Sequence, residues 1–341
     1  MKRFFQEQVH IKTVHLEFFS PAPMGTLFFF IDTAPVRFLN RFHRTITASG
    51  RAIPAPDHLH MIDKLPPELK RHSLPLVPNT DFFPALQGKG PEWHKYQREF
   101  KDLKFVATIG LSAFAMATYD PEIRTPQHLI GKRIGIRPRP SSLRVLKQAI
   151  LKDAWGIYDK VILKDCFRPQ AKDGLLKGDF DATFWFENRQ VVDGFECCEP
   201  LALEAKDAGW VGLSFEDIDR INRNNPWKLH RVLVPRGSLR ANGPKLDPTM
   251  DIGMAGLSTA LCAWDSTEDE VVYELLRFMD EHSHLWPDFT KGCPLSLSRM
   301  SSFPGLTEDV VHSGALKYYN EMGIKIEEPV QLHEMNDQVG V

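Results

Sequence analysis

A run of alternating strands and helices between Thr125 and Glu187 limits the folds open to this chain more than any other feature. Short apolar strands are predicted at Lys132–Ile136, Val161–Lys164 and Asp181–Phe186, with helical stretches between them. Strands that alternate with helices favour a parallel sheet, which binds ligands at the carboxyl ends of its strands. The sequence therefore predicts an α/β fold with functional groups in strand-to-helix turns.

The turn after the first of these strands is cationic. It reads RPRP and brings Arg137 and Arg139 next to a helix that begins at Ser141 or Ser142. A helix N-terminus carries a partial positive charge, so this turn is a place to hold an anion. One reading is that an arginine captures a ligand carboxylate in a bidentate pair and the serines contact the ligand. The other reading is a solvated basic turn followed by ordinary helix caps.

The length and net charge of the chain are those of an ordinary globular protein. At 341 residues the chain is long enough for two compact lobes, each with its own core. Its formal net charge is only −2, and its 42 basic residues are spread among 44 acidic ones. The chain lacks the large positive net charge that attracts nucleic acid, so a nucleic-acid partner is not expected.

Neither a metal site nor a disulfide framework is expected. The five cysteines are odd in number, two of them are adjacent, and no CxxC pair occurs. The closest histidine pairs are His58 with His60 and His282 with His284, and neither has an evident third ligand nearby. No cofactor is predicted.

The first residues, MKRFFQEQVHIK, have a basic start but lack the apolar run of a signal peptide. No apolar segment approaches the roughly 18 residues of a membrane span. The sequence taken alone therefore predicts a cytoplasmic protein, unless a leader precedes this start.

Elements outside the central run indicate two lobes. Further strands are predicted at Val14–Phe19, Leu74–Val77, Phe105–Ile109, Ala113–Tyr119, Leu229–Pro235 and Ile252–Trp264. Further helices are predicted from Ser214, from Ser266 or Thr267, and over Thr307–Met322. We expect residues 1–118 and 252–341 to form one lobe and residues 119–251 the other. Two chain crossings between lobes make a hinge, and ligand pockets favour such clefts.

Five segments in the right order resemble a known family. They are VHLEFFSPAPMGTLFFF, DLKFVATIGLSAFAMATYDPEIRTPQHLIGKRIGI, LLKGDFDATFWFE, WVGLSFEDIDRINRNNP and VHSGALKYYNEMGI. Together they are similar to the solute-binding receptors of the TAXI group of tripartite (TRAP) transporters. The resemblance implies a two-lobed periplasmic-binding-protein fold of type II, with two mixed sheets, flanking helices and a two-strand hinge. It also implies a periplasmic location and TRAP membrane subunits as partners.

The resemblance extends the set of candidate ligand-binding residues at the first lobe. Ser20, Gly25 and Thr26 lie on the first predicted strand-to-helix turn, where backbone N–H groups face the ligand in such folds. Asn79 ends a short strand near the expected cleft. A plain turn is the alternative for each of these positions.

Two further candidates lie on later strands. Trp185 alternates with Phe184, so one ring faces a helix and the other could form a stacking wall for a ligand ring. Ser258 lies on the strand that returns to the first lobe and is a weaker candidate.

Three functions remain open from the sequence. The first is a solute-binding protein that closes two lobes on a small carboxylate-bearing molecule and hands it to a TRAP transporter. The second is a cytoplasmic enzyme on the same fold, such as a decarboxylase or hydrolase acting on a small organic acid. No GxSxG motif, Ser/His/Asp constellation or suitable carboxylate pair is present, so no catalytic residue is assigned. The third is a cytoplasmic ligand sensor.

Overall fold

The computed structural model describes residues 13–22, 32–166, 168–191, 194–197, 209–234, 236, 250–290 and 295–326. The strands in these ranges are β1 (Val14–Ser20), β2 (Ile46–Ala52), β3 (Ser73–Pro78), β4 (Leu103–Thr118), β5 (Arg133–Ile136), β6 (Ile162–Asp165), β7 (Ala182–Val191), β8 (Gly194–Cys197), β9 (Gly209–Val211), β10 (His230–Val234) and β11 (Ile252–Trp264). The helices are α1 (Ala34–Phe42), α2 (Asp57–Asp63), α3 (Pro67–Lys70), α4 (Asn79–Leu86), α5 (Ser142–Ala149), α6 (Arg168–Lys177), α7 (Phe215–Asn224), α8 (Asp269–Glu281), α9 (Pro287–Thr290), α10 (Leu297–Met300) and α11 (Ser313–Glu321). None of these helices is long and apolar enough to cross a membrane.

The described strands form one 11-stranded mixed sheet. Its main path is β2-β1-β3-β11-β4-β7-β5-β6, and β8, β9 and β10 pair beside that path. Strands β1, β2 and β3 are parallel, as are β5, β6 and the start of β7, whereas β4 and β11 run antiparallel to their neighbours. The predicted α/β class with mixed pairing and flanking helices is confirmed. The two predicted sheets are joined into one path through β11 and β4.

Two large apolar clusters flank this sheet, and we call them the first core and the second core. The first core joins β1 to β3 with α1, α8 and α11, around Phe18, Phe38 and Trp264. The second core joins β5, β7, α5 and α7, around Ile134, Leu146 and Ile218 among others. The two cores have no buried side chain in common. Burial of apolar surface stabilises each of them between its own helices and strands.

Strands β4 and β11 pass through both cores. In β4, Phe105 belongs to the first core and Phe114 to the second. In β11, Leu257 belongs to the second core and Leu261 to the first. The chain therefore crosses between the cores on two long neighbouring strands.

The prediction of two strands at 105–109 and 113–119 was wrong, because these residues form the single strand β4. Gly110 and Ser112 lie at the predicted break, yet they continue the ladder opposite Thr259 and Leu257 of β11. Pairing with a long partner strand thus overrides the weak strand propensity of glycine and serine.

The last predicted helix is shorter than expected. Residues 307–312 lie outside it because Val311 forms a parallel bridge with Phe105, and the His312 N–H donates to the Phe105 carbonyl at 2.9 Å. Helix α11 begins only after this contact. Gly323 follows it with a φ of 72°, which fits its predicted role at the helix end.

The stretch from 45 to 100 contains more regular structure than its proline and polar residues predict, since β2, α2 and α3 were missed. The loop that follows α4 is fixed to the first core by charge. Arg98 donates to Asp63 and Asp102, and Lys70 reaches the same two carboxylates at 2.9 and 2.8 Å. This network holds the loop that contains Trp93.

Candidate functional site

The candidate site lies where strand ends from the first core meet helix α5 of the second core. Phe19 of β1 lies opposite Pro75 of β3 in a parallel ladder, so Ser20, the last residue of β1, and Asn79, which follows β3, lie at the same sheet edge. The carboxyl ends of parallel strands are the usual ligand-binding edge of an α/β sheet.

Ser258 lies at the same edge. Its neighbour Thr259 on β11 is opposite Pro78, the residue immediately before Asn79. The Ser258 side chain is fully buried, and its hydroxyl is 2.6 Å from His230 Nε2 on β10. The structure therefore brings Ser258 beside the start of α4, but its hydroxyl already has a partner within the sheet.

A buried carboxylate occupies the first turn of α4. Asp81 accepts hydrogen bonds from the Tyr96 hydroxyl at 2.7 Å, from the Thr80 hydroxyl at 3.3 Å, and from His94 Nε2. Ser142, the first residue of α5, lies close enough to this carboxylate to help lower its pKa. Burial raises the pKa of Asp81, but the charge of His94 and the nearby polar groups of His94, Ser142 and Tyr96 outweigh it. The net pKa lies below its ordinary value, so this carboxylate is ionised at neutral pH.

The sequence analysis missed this cluster. His94 and Tyr96 lie only 13 and 15 positions after Asp81, but these spacings do not belong to a fixed motif. The available signal was an acidic residue in the first turn after a predicted strand end, two positions beyond Asn79.

Polar contacts join the two cores at this site. Ser142 is the first residue of α5 and lies near Asp81 of α4. The Asn79 side-chain N–H donates to the Lys228 carbonyl at 2.5 Å, and Lys228 lies between two residues of the second core. The Arg139 guanidinium lies 5.2 Å from the centre of the Trp93 ring, a cation–π distance.

Asn79 also offers an unused acceptor. Its side chain is fully buried, and its Oδ1 has no hydrogen-bond partner among the described residues. A buried acceptor without a partner has a desolvation penalty of about 1–3 kcal/mol. A ligand donor at this atom would remove that penalty.

The two predicted arginines occupy different environments. Arg137 is half-buried at the carboxyl end of β5, whereas Arg139 is exposed and lies over Trp93. Their role as a carboxylate clamp remains a prediction.

Helix α5 is not capped by a serine side chain, contrary to the alternative considered from the sequence. Ser141 occupies the N-cap position with extended backbone but makes no side-chain capping bond. Ser142 follows it as the first residue of the helix and lies near Asp81. The N-cap side chain therefore satisfies none of the first amide groups of α5.

A buried arginine that sequence reasoning missed lies behind this turn. Arg144 Nη1 donates to the Arg137 carbonyl and to the Asp165 carboxylate, both at 2.6 Å. The Arg144 Nε is buried without a partner among the described residues. Asp165 is 21 positions away at the end of β6, so local spacing offered no signal for this pair. Helix α5 thus brings a third guanidinium close to the two predicted in the turn.

Ser20 is engaged in the first core. Its hydroxyl donates to Asp32 at 2.5 Å and accepts from the Ala22 N–H at 3.0 Å. Burial raises the pKa of Asp32 to about 7, although the bond from Ser20 opposes the shift. Gly25 and Thr26 lie outside the described residues.

Trp185 lies in β7 opposite Ala115 of β4, and its side chain lies outside the described part of the chain. Its predicted stacking role remains a prediction. Among the described residues, no three His, Cys, Asp or Glu side chains are arranged to hold a metal ion.

Comparison with known proteins gives one family match. Residues 96–210, about a third of the chain, match the sequence model of the family described as NMT1/THI5 like. No curated protein matches the chain.

Several solved structures are similar to this chain at low identity. A TctC solute binding protein from Polaromonas is 12% identical over 95% of this chain and 93% of that chain, with a TM-score of 0.46. MatC from Rhodopseudomonas palustris, solved with bound malate, is 15% identical over 91% and 97%, with a TM-score of 0.49. A TRAP periplasmic solute binding protein from Roseobacter denitrificans with bound β-D-glucuronate is 8% identical over 82% of each chain, with a TM-score of 0.40.

Proposed function

We propose that this chain is a solute-binding protein that captures a small carboxylate-bearing organic molecule between its two cores. One observation supports this most directly. Helices α4 and α5, which follow strands of different cores, contact each other, and Asp81 in the first turn of α4 lies near Ser142 at the start of α5. In the described part of the chain, strands β4 and β11 cross between the two cores beside these polar groups. Such an arrangement allows a ligand to be enclosed by domain closure.

The second core supplies the groups for an anion. Its α5 turn offers amide groups, the Ser142 hydroxyl, and the guanidinium groups of Arg137, Arg139 and Arg144. Donors of this kind bind a carboxylate by charge-assisted hydrogen bonds. The first core supplies acceptors at Asn79, which suit a donor elsewhere on the ligand.

The finer parts of the proposal come from the resemblance to TAXI receptors. They are residues 1–118 with 252–341 as one lobe and 119–251 as the other, closure about β4 and β11, a periplasmic location, and delivery to TRAP membrane subunits. The ligand residues proposed are Ser20, Gly25, Thr26, Asn79, Arg137, Arg139, Ser141, Ser142, Trp185 and Ser258. No covalent step is required of any of them.

A thermal-shift screen of dicarboxylates, hydroxy acids and aromatic acids, followed by calorimetry, tests this function. We expect at least one acid to raise the melting temperature and to bind with one-to-one stoichiometry, because a ligand that binds only the folded state stabilises it. Amines and neutral sugars serve as controls and should produce no shift. Failure of every acid would contradict the proposal.

The enzyme alternative is favoured by one observation, the buried cluster of Asp81 and His94 next to the Ser142 hydroxyl. Carboxylate, imidazole and hydroxyl groups within one cluster are the usual components of acid–base chemistry. Proton NMR of each bound acid during long incubation separates the two functions. An unchanged spectrum supports a receptor, and the appearance of a new product supports the enzyme.

A further inference from the structure

The side-chain amide of Asn79 is held in one orientation by the other core. Its Nδ2 donates to the Lys228 carbonyl at 2.5 Å, and Lys228 lies between Trp227 and Leu229 of the second core. A carbonyl oxygen can only accept a hydrogen bond, so the amide nitrogen, and not the amide oxygen, must face Lys228. The direction of Oδ1 is therefore set by a contact between the two cores, at the first residue of α4.

The segment that contains Lys228 is itself fixed to helix α7. The Asn222 side chain donates to the Leu229 carbonyl at 3.1 Å and accepts from the Leu229 N–H at 2.7 Å. The Lys228 ammonium donates to the carbonyl of Asn222 and, at 3.2 Å, to that of Asn225. Because these bonds hold the carbonyl that binds Asn79, the Asn79 amide is not free to turn toward another partner.

The Oδ1 atom of Asn79 is an open acceptor at this sheet edge. Asn79 is fully buried, and none of the described residues donates to its Oδ1. The two serine candidates at the same edge already have partners, since Ser20 bonds to Asp32 at 2.5 Å and Ser258 to His230 at 2.6 Å. Buried polar groups in folded proteins are nearly always paired, so this atom requires a bound group that donates a hydrogen. A carboxylate has only acceptors and cannot be that group.

We propose that the ligand is an acid that also carries a hydroxyl or ammonium group, and that Asn79 Oδ1 accepts a hydrogen from that group. This inference rests on the proposed function for the acid and names its class. The carboxylate lies at the cationic turn of Arg137 and Arg139, and the donor lies at the start of α4. Helices α4 and α5 contact each other, so a small hydroxy acid or amino acid is long enough to reach both cores.

Calorimetry with matched acids tests this class. Succinate, malate and aspartate form one set, and 3-phenylpropionate, 3-phenyllactate and phenylalanine form the other. The members of a set differ only in carrying hydrogen, hydroxyl or ammonium at one carbon. We expect the protein to bind the hydroxy or amino member of at least one set about tenfold more tightly than the unsubstituted member, because its donor satisfies a buried acceptor. Which of the two is preferred identifies the donor.

Two other outcomes have different meanings. Binding of acids without this preference overturns the inference and leaves the proposed function standing, since a water molecule at Oδ1 would then serve as well as the ligand. Absence of binding by all six acids contradicts the proposed function, and the inference fails with it.

The variant N79A assigns the preference to this atom. It removes the acceptor and should bring the affinities of the preferred acid and its unsubstituted partner to within about twofold. The control N222A removes the bonds that hold Leu229 beside Lys228 but leaves Asn79 in place, so it should keep the parental preference. A parental preference in N79A, or an equal loss in N222A, would overturn the role of Asn79. If N79A lacks the circular dichroism of the parent, N79L replaces it with the same expectation, because leucine has a similar volume and no acceptor.

Discussion

His58 in helix α2 is fully buried, and neither of its ring nitrogens has a hydrogen-bond partner among the described residues. Burial lowers its pKa from an ordinary 6.5 to about 4, a shift that nearby Asp81 opposes and His94 reinforces. The ring is therefore neutral in the folded protein at pH 7 and resists protonation in mild acid, whereas the same ring in the unfolded chain becomes charged below pH 6.5.

This difference predicts a loss of stability between pH 6.5 and pH 4. In that window the unfolded state binds a proton at His58 and the folded state does not. The free energy of unfolding therefore falls by about 3 kcal/mol between pH 6.5 and pH 4. The variant H58F should remove this contribution to the slope of unfolding free energy against pH, because phenylalanine fills the space without a titrating group. Urea unfolding at several pH values measures the slope. The exposed His284→Gln control should leave it unchanged, and a parental slope in H58F would contradict the assignment.

Arg139 is the exposed member of the predicted arginine pair. The change R139A should weaken binding of an acid found in the screen by about 1.5–3 kcal/mol, the range for hydrogen bonds to charged groups. The same change at Arg137 tests which guanidinium enters the cleft, and R223A, an exposed residue in the last turn of α7, controls for net charge. Dissociation constants from calorimetry decide the matter. Parental affinity in both R137A and R139A would remove these side chains from the carboxylate clamp.

At the scale of elements, the starts of α5 and α7 differ in a way that stability measurements can detect. Ser214 caps α7 in a complete capping box, in which its hydroxyl accepts from the Asp217 N–H at 3.1 Å and Asp217 accepts from the Ser214 N–H at 2.8 Å. Ser141 at the start of α5 makes no such bond.

The change S214A should therefore cost about 1 kcal/mol of unfolding free energy, whereas S141A should cost close to nothing. Both replace a serine at an N-cap position by alanine, so each serves as the control of the other. Chemical denaturation with a common slope measures the difference. A loss in S141A equal to that in S214A would show that Ser141 has a capping role absent from the structure.

Elements with a complete local signal were predictable from sequence. Strand β11 was predicted with its observed bounds, Ile252–Trp264, because its apolar run is long and is bounded by polar residues. Helix α7 was predicted from its cap and periodic apolar face. Strand β2 was not, because ITASGRA has a weak strand signal and owes its conformation to pairing along the whole of β1.

The site was only partly predictable for a related reason. Asn79 and Ser142 were named from strand-to-helix turns and Ser258 from the returning strand. The structure places Asn79 and Ser258 at one sheet edge and Ser142 near Asp81 of α4. The partners that control them come from distant parts of the chain, as Lys228 does for Asn79 at a separation of 149 residues. Side-chain pairs of this kind depend on tertiary packing, so no local pattern reports them.

At the scale of the whole molecule, the two cores are distinct in their side chains but share their strands. Leu257 and Leu261 are both buried on β11, four residues apart, yet the former packs in the second core and the latter in the first. Between them, Thr259 pairs with both β3 and β4. Unfolding of either core would therefore break the backbone ladder on which the other depends.

This sharing predicts one cooperative unfolding transition for the whole molecule. The changes L261A and L257A should each lower the unfolding free energy by about 2–5 kcal/mol, the usual cost of truncating a buried leucine. Both should move the same transition, because each leaves a cavity beside a strand that belongs to both cores. Differential scanning calorimetry compares the calorimetric and van't Hoff enthalpies. Two transitions, one shifted only by L261A and the other only by L257A, would contradict this prediction. Each core would then unfold independently, and the shared strands would not couple them.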